Sequence, residues 1–260
     1  MGGAAANGPA RLLELPAEGA FDVWSFPARD RPAWRRLLSA DDVARAARCA
    51  GAAARREVVT SRAVQRLVAA RYLGGAPDDV VVSRRCARCG HPGHGRPHVP
   101  GRSDYDYSVA HSGGLVLVAV SHRGRVGVDL EVGRRPYDES GVARLVCTPA
   151  ERARLAALPD ADRRARFRAL WVRTEAVLKL SGAGIVADLA TLDVPASDGM
   201  VRPPADVWPA PLWVVGLAAG PLATAALAAE RPITGVRRLG PQDLLPDEGR
   251  SPDVRGSRRV

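Results

Sequence analysis

Val126-Gly127-Val128-Asp129-Leu130-Glu131-Val132 alternates strictly, with aliphatic side chains at 126, 128, 130 and 132 and a glycine and two carboxylates between them. A strand sends successive side chains to opposite faces. One face is therefore a row of aliphatic groups, and the other carries two acids about 7 Å apart. Like charges at that spacing repel unless a cation lies between them or each is well solvated. The acidic face is expected to wall a metal-binding cleft.

Working outward, Arg123-Gly124-Arg125 turns the chain into this strand, and 105–110 and 115–121 read as two strands before it. Further upstream, Ser39 with Asp41 and Asp42 signals a helix start. Val64, Leu67, Val68 and Tyr72 share one face of a helix expected over about 57–73 and ended by Gly74-Gly75. Residues 80–83 suggest a short strand, and 84–103 a loop. Downstream, Thr148-Pro149-Ala150-Glu151 is a capping box that opens a short helix. A longer helix is expected over about 161–180, stopped by Ser181-Gly182. The apolar runs 212–217 and 222–229 flank Gly220-Pro221 and suggest a hairpin. Helices followed by strand pairs in each half give an α+β fold; the order of elements allows a loose twofold repeat, which the sequence similarity between the halves does not establish. The expected divisions are a flexible N-terminus over 1–10, a first half over 11–124, a second half over 125–232, and a disordered basic tail over 233–260.

The chain has 260 residues, enough for one large domain or two modest ones. Its net charge of +10 favours an anionic partner without choosing among nucleic acid, membrane surface, phosphorylated ligand and acidic protein. Nearly every cation is Arg, and Lys179 is the only lysine. No apolar run is long enough for a transmembrane helix. No secretory pattern opens the chain, and its four cysteines fit a cytoplasmic enzyme with reduced thiols.

On the long helix, Trp171, Glu175 and Lys179 are spaced i, i+4, i+8 and form one stripe. Phe167, Leu170, Thr174 and Leu178 form an adjoining stripe suited to the core. Taken alone, Glu175 and Lys179 would be an exposed helix ion pair. Beside the acidic strand, they supply a third carboxylate and an ammonium to one site. Carboxylate oxygens suit Mg²⁺, which takes further ligands from water and substrate phosphates, and a lysine can hold a phosphate oxygen as a point charge.

Gly127-Val128-Asp129-Leu130-Glu131, followed by Trp171-Val172-Arg173-Thr174-Glu175-Ala176-Val177-Leu178-Lys179-Leu180-Ser181-Gly182, resembles the paired signature of the surfactin-synthetase-activating type of 4′-phosphopantetheinyl transferase. Tyr107-Ser108-Val109-Ala110-His111-Ser112 resembles that family's motif ending in Ser-His-Ser, and Gly95-Arg96-Pro97 its Gly-Lys-Pro. The Ser61-Arg62 helix also has a place in the pattern. The resemblance spans about residues 35–195. It implies a pseudo-duplicated fold with the active site between the halves, acting as a monomer. The implied reaction moves the 4′-phosphopantetheine arm of coenzyme A to a serine of an acidic acyl or peptidyl carrier protein, with Mg²⁺, releasing 3′,5′-ADP. It makes Asp129, Glu131 and Glu175 the metal ligands, and Glu175, Lys179 and Asp129 the catalytic set. It places Lys179 on a phosphate and Glu175 near the incoming serine. Arg96, Pro97, His111 and Ser112 fall on the coenzyme side, with His111 and Arg96 at the 3′-phosphorylated adenosine end. Arg45, Arg48 and Arg62 are further candidates for that phosphate. Two residues depart from the pattern. Thr174 stands where the family commonly has Lys, with Arg173 a neighbouring charge on a face about 100° away. Ala110 stands where it has Ser, which removes one side-chain hydrogen bond.

Cys86-Ala87-Arg88-Cys89, followed by His91, His94 and His98, is the second conspicuous cluster. Zinc at Cys86 and Cys89 is one reading. Without a second cysteine pair, thiols in a mobile loop is the preferred one. Cys49 and Cys147 read as small core residues. Two rival functions stand beside the transferase: a basic nucleic-acid-binding protein built on the Cys/His element, and a catalytically weak coenzyme A binder.

Overall fold

The computed structural model describes residues 12–86, 89–133, 139–184 and 189–244. The expected flexible N-terminus at 1–10 lies outside these residues, as does everything beyond 244. In chain order, the strands are β1 (Ala20–Pro27), β2 (Tyr105–Ser112), β3 (Leu115–His122), β4 (Val126–Val132), β5 (Gly199–Val201), β6 (Leu212–Ala218), β7 (Ala223–Ala229) and β8 (Gly235–Leu239). The helices are α1 (Pro32–Arg35), α2 (Ala40–Ala47), α3 (Ala52–Leu73), α4 (Glu139–Val146), α5 (Pro149–Ala156) and α6 (Asp160–Ser181).

Two four-stranded sheets, ordered β2-β3-β1-β8 and β4-β7-β6-β5, make the fold α+β. Each sheet carries one 22-residue helix on its outer face, α3 on the first and α6 on the second. Between the sheets lies a core of Phe21, Val23, Leu117 and Ala119 from one side and Val126, Val128, Leu130 and Leu227 from the other. The aliphatic face of β4 is thus spent on the sheet–sheet contact, and its acidic face is left to α6.

The helix ends follow their local chemistry. Ser39 Oγ accepts from the Asp42 N–H at the start of α2. Thr148 and Glu151 form both hydrogen bonds of the capping box on α5. Gly182, at φ +75°, closes α6 in the left-handed conformation, its N–H bonded to the Leu178 carbonyl. The helix α3 begins at Ala52, a turn and more before the expected start, because alanines and arginines extend it favourably.

Two expectations are corrected, and one strand, β1, was not anticipated. The strand expected over 80–83 is a single antiparallel bridge, Ser83 to His98, preceded by a 3₁₀ turn over Pro77–Asp79. The strand β1 carries no alternating signal because it is buried on both faces: Phe21 and Val23 face the other sheet, and Trp24 and Phe26 face α3. The tail expected to be disordered from 233 instead supplies β8, parallel to β1, and a 3₁₀ turn over Pro241–Leu244. Arg237 of β8 forms an ion pair with Asp22, a carboxylate only 1% exposed, and that pairing anchors the segment to the first sheet.

Candidate active site

The site is built where the edge strands β2 and β4 meet. Side chains of β2 take the place of ladder carbonyls for β4: Asp106 accepts from the Val126 N–H at 2.9 Å, Ser108 from Val128 at 3.1 Å, and Ser112 from Val132 at 3.1 Å. The same register would pair residue 110 with Leu130, and Ala110 has no oxygen to offer. The departure from the family pattern therefore falls on the backbone between Asp129 and Glu131.

On the other face of β4, Gly127 lets α6 lie directly on the strand. A Cβ there would stand 1.9 Å from the Ala176 carbonyl oxygen and 2.8 Å from the Leu180 nitrogen. This approach sets Lys179 Nζ 2.6 Å from Asp129 Oδ1. Among the described residues, the remaining oxygen, Asp129 Oδ2, is buried without a hydrogen-bond partner, and so is Glu175 Oε1. Such orphaned acceptors cost about 1–3 kcal/mol each. Burial first, and the Asp129 charge second, hold the Glu175 carboxyl above the ordinary carboxylate range, with Lys179 opposing. Glu131 is half-buried and accepts from the Ser112 hydroxyl at 3.0 Å.

The three carboxylates interact but do not close on a common point. Among the described residues they form no group whose ligand atoms all lie within 4.8 Å of one another. Lys179 neutralises Asp129 and Ser112 tethers Glu131. The two orphaned oxygens, in an all-carboxylate donor set, fit Mg²⁺. That ion uses one or two carboxylates and completes its shell with water and phosphate oxygens.

Lys179 stands at the junction of two hollows of about 230 Å³ each. One is lined by Gly95, Arg96, Pro97, Ser108, Glu175 and Lys179. The other is lined by Arg45, Ser61, Arg62, His111 and Lys179. A larger hollow of about 690 Å³ between α5, α6 and residues 193–196 contains none of these groups, so size alone does not mark the chemistry.

The second hollow is strongly cationic. Behind it, the buried Asp42 carboxylate is shared by Arg62 at 3.2 Å, Arg66 at 3.3 Å and Arg84 at 3.9 Å. One negative charge faces three positive ones. Burial and the Arg84 charge push Arg62 down to about 10. An anion entering beside Arg45 and Arg62 would relieve that excess. His111 borders the same hollow, its Nδ1 3.2 Å from Glu57 Oε2, while Glu57 Oε1 accepts from the Gly114 N–H at 2.7 Å.

Other candidates occupy different places. Arg96 lines the first hollow with its guanidinium engaged within the protein: it is bidentate to Asp106 and also donates to the Lys179 and Val126 carbonyls. It clamps the end of α6 to β4. Ser112 positions Glu131 and β4 through its hydroxyl. Arg48 is exposed at the end of α2 and lines neither hollow. Arg173 supplies no charge to the cleft, because it turns away to Asp198 at 2.6 Å and the Ser197 carbonyl. Thr174 is in the core, as its stripe predicts. Sequence reading passed over Glu57, Arg84 and Asp106, and read Asp42 only as a helix-start signal. Glu57 had a signal, being the one acid in an arginine-rich helix.

The sequence profile of the 4′-phosphopantetheinyl transferase superfamily matches residues 125–202, the segment from β4 through α6 to β5. The chain is 31% identical over 179 residues to the 4′-phosphopantetheinyl transferase HetI of Nostoc sp., covering 68% of this chain and 71% of HetI. It is 29% identical over 172 residues to slr0495 of Synechocystis sp., covering 64% and 67% of the two chains. To the 4′-phosphopantetheinyl transferase AcpT of Salmonella typhimurium it is 30% identical over 88 residues, covering 34% and 46%. With the carboxylates and Lys179 inside the matched segment, the chain belongs to the 4′-phosphopantetheinyl transferase superfamily and is a transferase.

Proposed function

We propose that the protein transfers the 4′-phosphopantetheine arm of coenzyme A to a serine hydroxyl of an apo acyl or peptidyl carrier protein, in a Mg²⁺-dependent reaction that releases 3′,5′-ADP. The observation that carries this reading is the pair of buried, orphaned oxygens on Asp129 and Glu175, flanking Lys179 where two hollows join. The arginine-lined hollow suits the 3′-phosphorylated adenosine end, held by Arg45, Arg62 and His111. The other suits the pantetheine arm and the incoming serine.

Asp129 and Glu175, with Glu131 beside them, would hold the ion, which when bound supplies charge neutralisation for the diphosphate. The remaining work falls to the protein. Phosphoryl transfer asks mainly for alignment and charge stabilisation. The serine oxygen bonds to the phosphorus nearest the pantetheine arm, and the bond from that phosphorus to the 3′,5′-ADP oxygen breaks. Glu175 accepts the serine proton directly or through water. Lys179 shifts from Asp129 to the phosphate oxygens, where it stabilises charge on the leaving group. An acidic carrier protein would be drawn by the net charge of +10.

The test is incubation with coenzyme A, Mg²⁺ and an apo carrier protein, read by mass spectrometry of the carrier. The carrier gains the arm with the native protein, and gains none with Asp129→Ala or with excess EDTA. Unmodified carriers across several acyl and peptidyl types would overturn the proposal, and tight coenzyme A binding without turnover would favour the weak-binder reading instead.

A further inference from the structure

We propose that the loop between Ser83 and His98 is a zinc site, with Cys86, Cys89 and His94 as its protein ligands. Their sulfur and nitrogen atoms all lie within 4.8 Å of one another, the one such group among the described residues. Cys89 Sγ is 3.3 Å from His94 Nε2. With Zn–S near 2.3 Å and Zn–N near 2.0–2.1 Å, a tetrahedral ion needs S···N edges of about 3.5 Å. The cluster therefore requires only small adjustment to close on a metal.

The backbone builds the same arrangement. The Gly90 N–H bonds to the Cys86 carbonyl at 2.9 Å, and the Cys86 N–H to the His91 carbonyl at 2.8 Å. Gly90 takes φ +73°, which lets the chain turn immediately after Cys89. Gly95 closes the loop by donating to the Arg84 carbonyl, and a Cβ at Gly95 would stand 2.4 Å from the Arg85 oxygen. Residues 84–97 contain no large apolar side chain, so burial has little to offer this loop. A metal cross-link offsets the entropy of closing it. A mixed set of two thiolates and an imidazole suits tetrahedral zinc, and His91 or solvent completes the tetrahedron. The ring of His91 stacks on His94 at 4.9 Å.

The site is structural and shares no ligand with the carboxylates, although His94 lines the same hollow as Glu175 and Lys179. Its consequence reaches the cleft through the two ends of the loop: Arg84 enters the Asp42 cluster, and Arg96 clamps α6 to β4. Zinc would hold both ends in register.

The experiment uses the full chain, expressed with zinc and purified under reductant, with metal content read by inductively coupled plasma mass spectrometry. The expected result is one zinc per chain, lost in Cys86→Ser, Cys89→Ser and His94→Ala and kept in Cys49→Ser and Cys147→Ser. Cobalt titration of the metal-stripped native chain gives a second readout that does not depend on variants folding. It should produce a thiolate-to-cobalt charge-transfer band and tetrahedral ligand-field intensity. Absence of both zinc and cobalt binding in the reduced native chain would overturn the proposal, as would folded Cys86→Ser and Cys89→Ser variants that retain stoichiometric zinc.

Discussion

Glu175 shows how a single residue holds function and stability in opposition. Its folded pKa lies above its unfolded value, because folding buries it beside Asp129. The ionised form is therefore disfavoured by folding. Above the folded pKa this charge lowers stability, and as pH falls through that pKa the penalty disappears. Glu175→Gln removes the charge and keeps the shape. Thermal unfolding without added metal should give the variant a higher Tm than the native protein in mildly alkaline buffer, with the difference vanishing in acid. Carrier modification should be lost at every pH. A variant less stable than the native chain in alkali would contradict this account. The remaining site residues divide the labour differently: Lys179 compensates Asp129, Ser112 fixes Glu131, and Glu57 fixes His111.

At the scale of elements, the junction of β2 and β4 holds the acidic strand in place. Three β2 side chains bond to alternate β4 amides, and the interval at Ala110 interrupts the series. Ala110→Ser adds one hydroxyl at a buried position opposite Leu130. A net gain of about 1 kcal/mol is expected from one buried hydrogen bond, measured as a shift in urea midpoint. A loss of stability would mean that the serine oxygen does not reach the Leu130 amide. The helix α6 shows which part of such an arrangement a sequence carries. Its stripe of Trp171, Glu175 and Lys179 is the partly exposed one, while Phe167, Leu170, Thr174 and Leu178 are buried, as a period of 3.6 residues requires. That Gly127 exists to admit this helix was not legible, because the Cβ it avoids would meet a backbone carbonyl about 50 residues downstream.

Over the whole molecule, the chain closes on itself. The strand β8 returns from the end of the second half to pair with β1 of the first, so the halves are not sequentially separate. Asp22 receives Arg237 Nε at 2.7 Å and the Tyr72 hydroxyl at 2.5 Å, inside the first sheet. Removing the cation leaves a buried carboxylate with one donor. Arg237→Ala is expected to cost roughly 1–3 kcal/mol, the range for a buried acceptor losing a donor, because Asp22 is buried while Arg237 is half exposed and Tyr72 remains. Chemical denaturation measures this, and carrier modification at low temperature should persist, since Asp22 lines neither hollow of the site. A cost below about 0.5 kcal/mol would class the contact with exposed pairs.

Local chemistry was enough to mark the acidic strand, the helix caps, the exposed stripe of α6 and the α+β class. Each of these depends on residues within a few positions of one another, where period and capping rules act. Tertiary structure alone decided that the basic tail becomes a strand, that Arg96 is a clamp, and that Arg62 shares Asp42 with two other arginines. It also decided that Cys86, Cys89 and His94 converge. These outcomes depend on which distant groups meet in a low-dielectric interior, and there a guanidinium is spent on whichever carboxylate or carbonyl the fold brings to it.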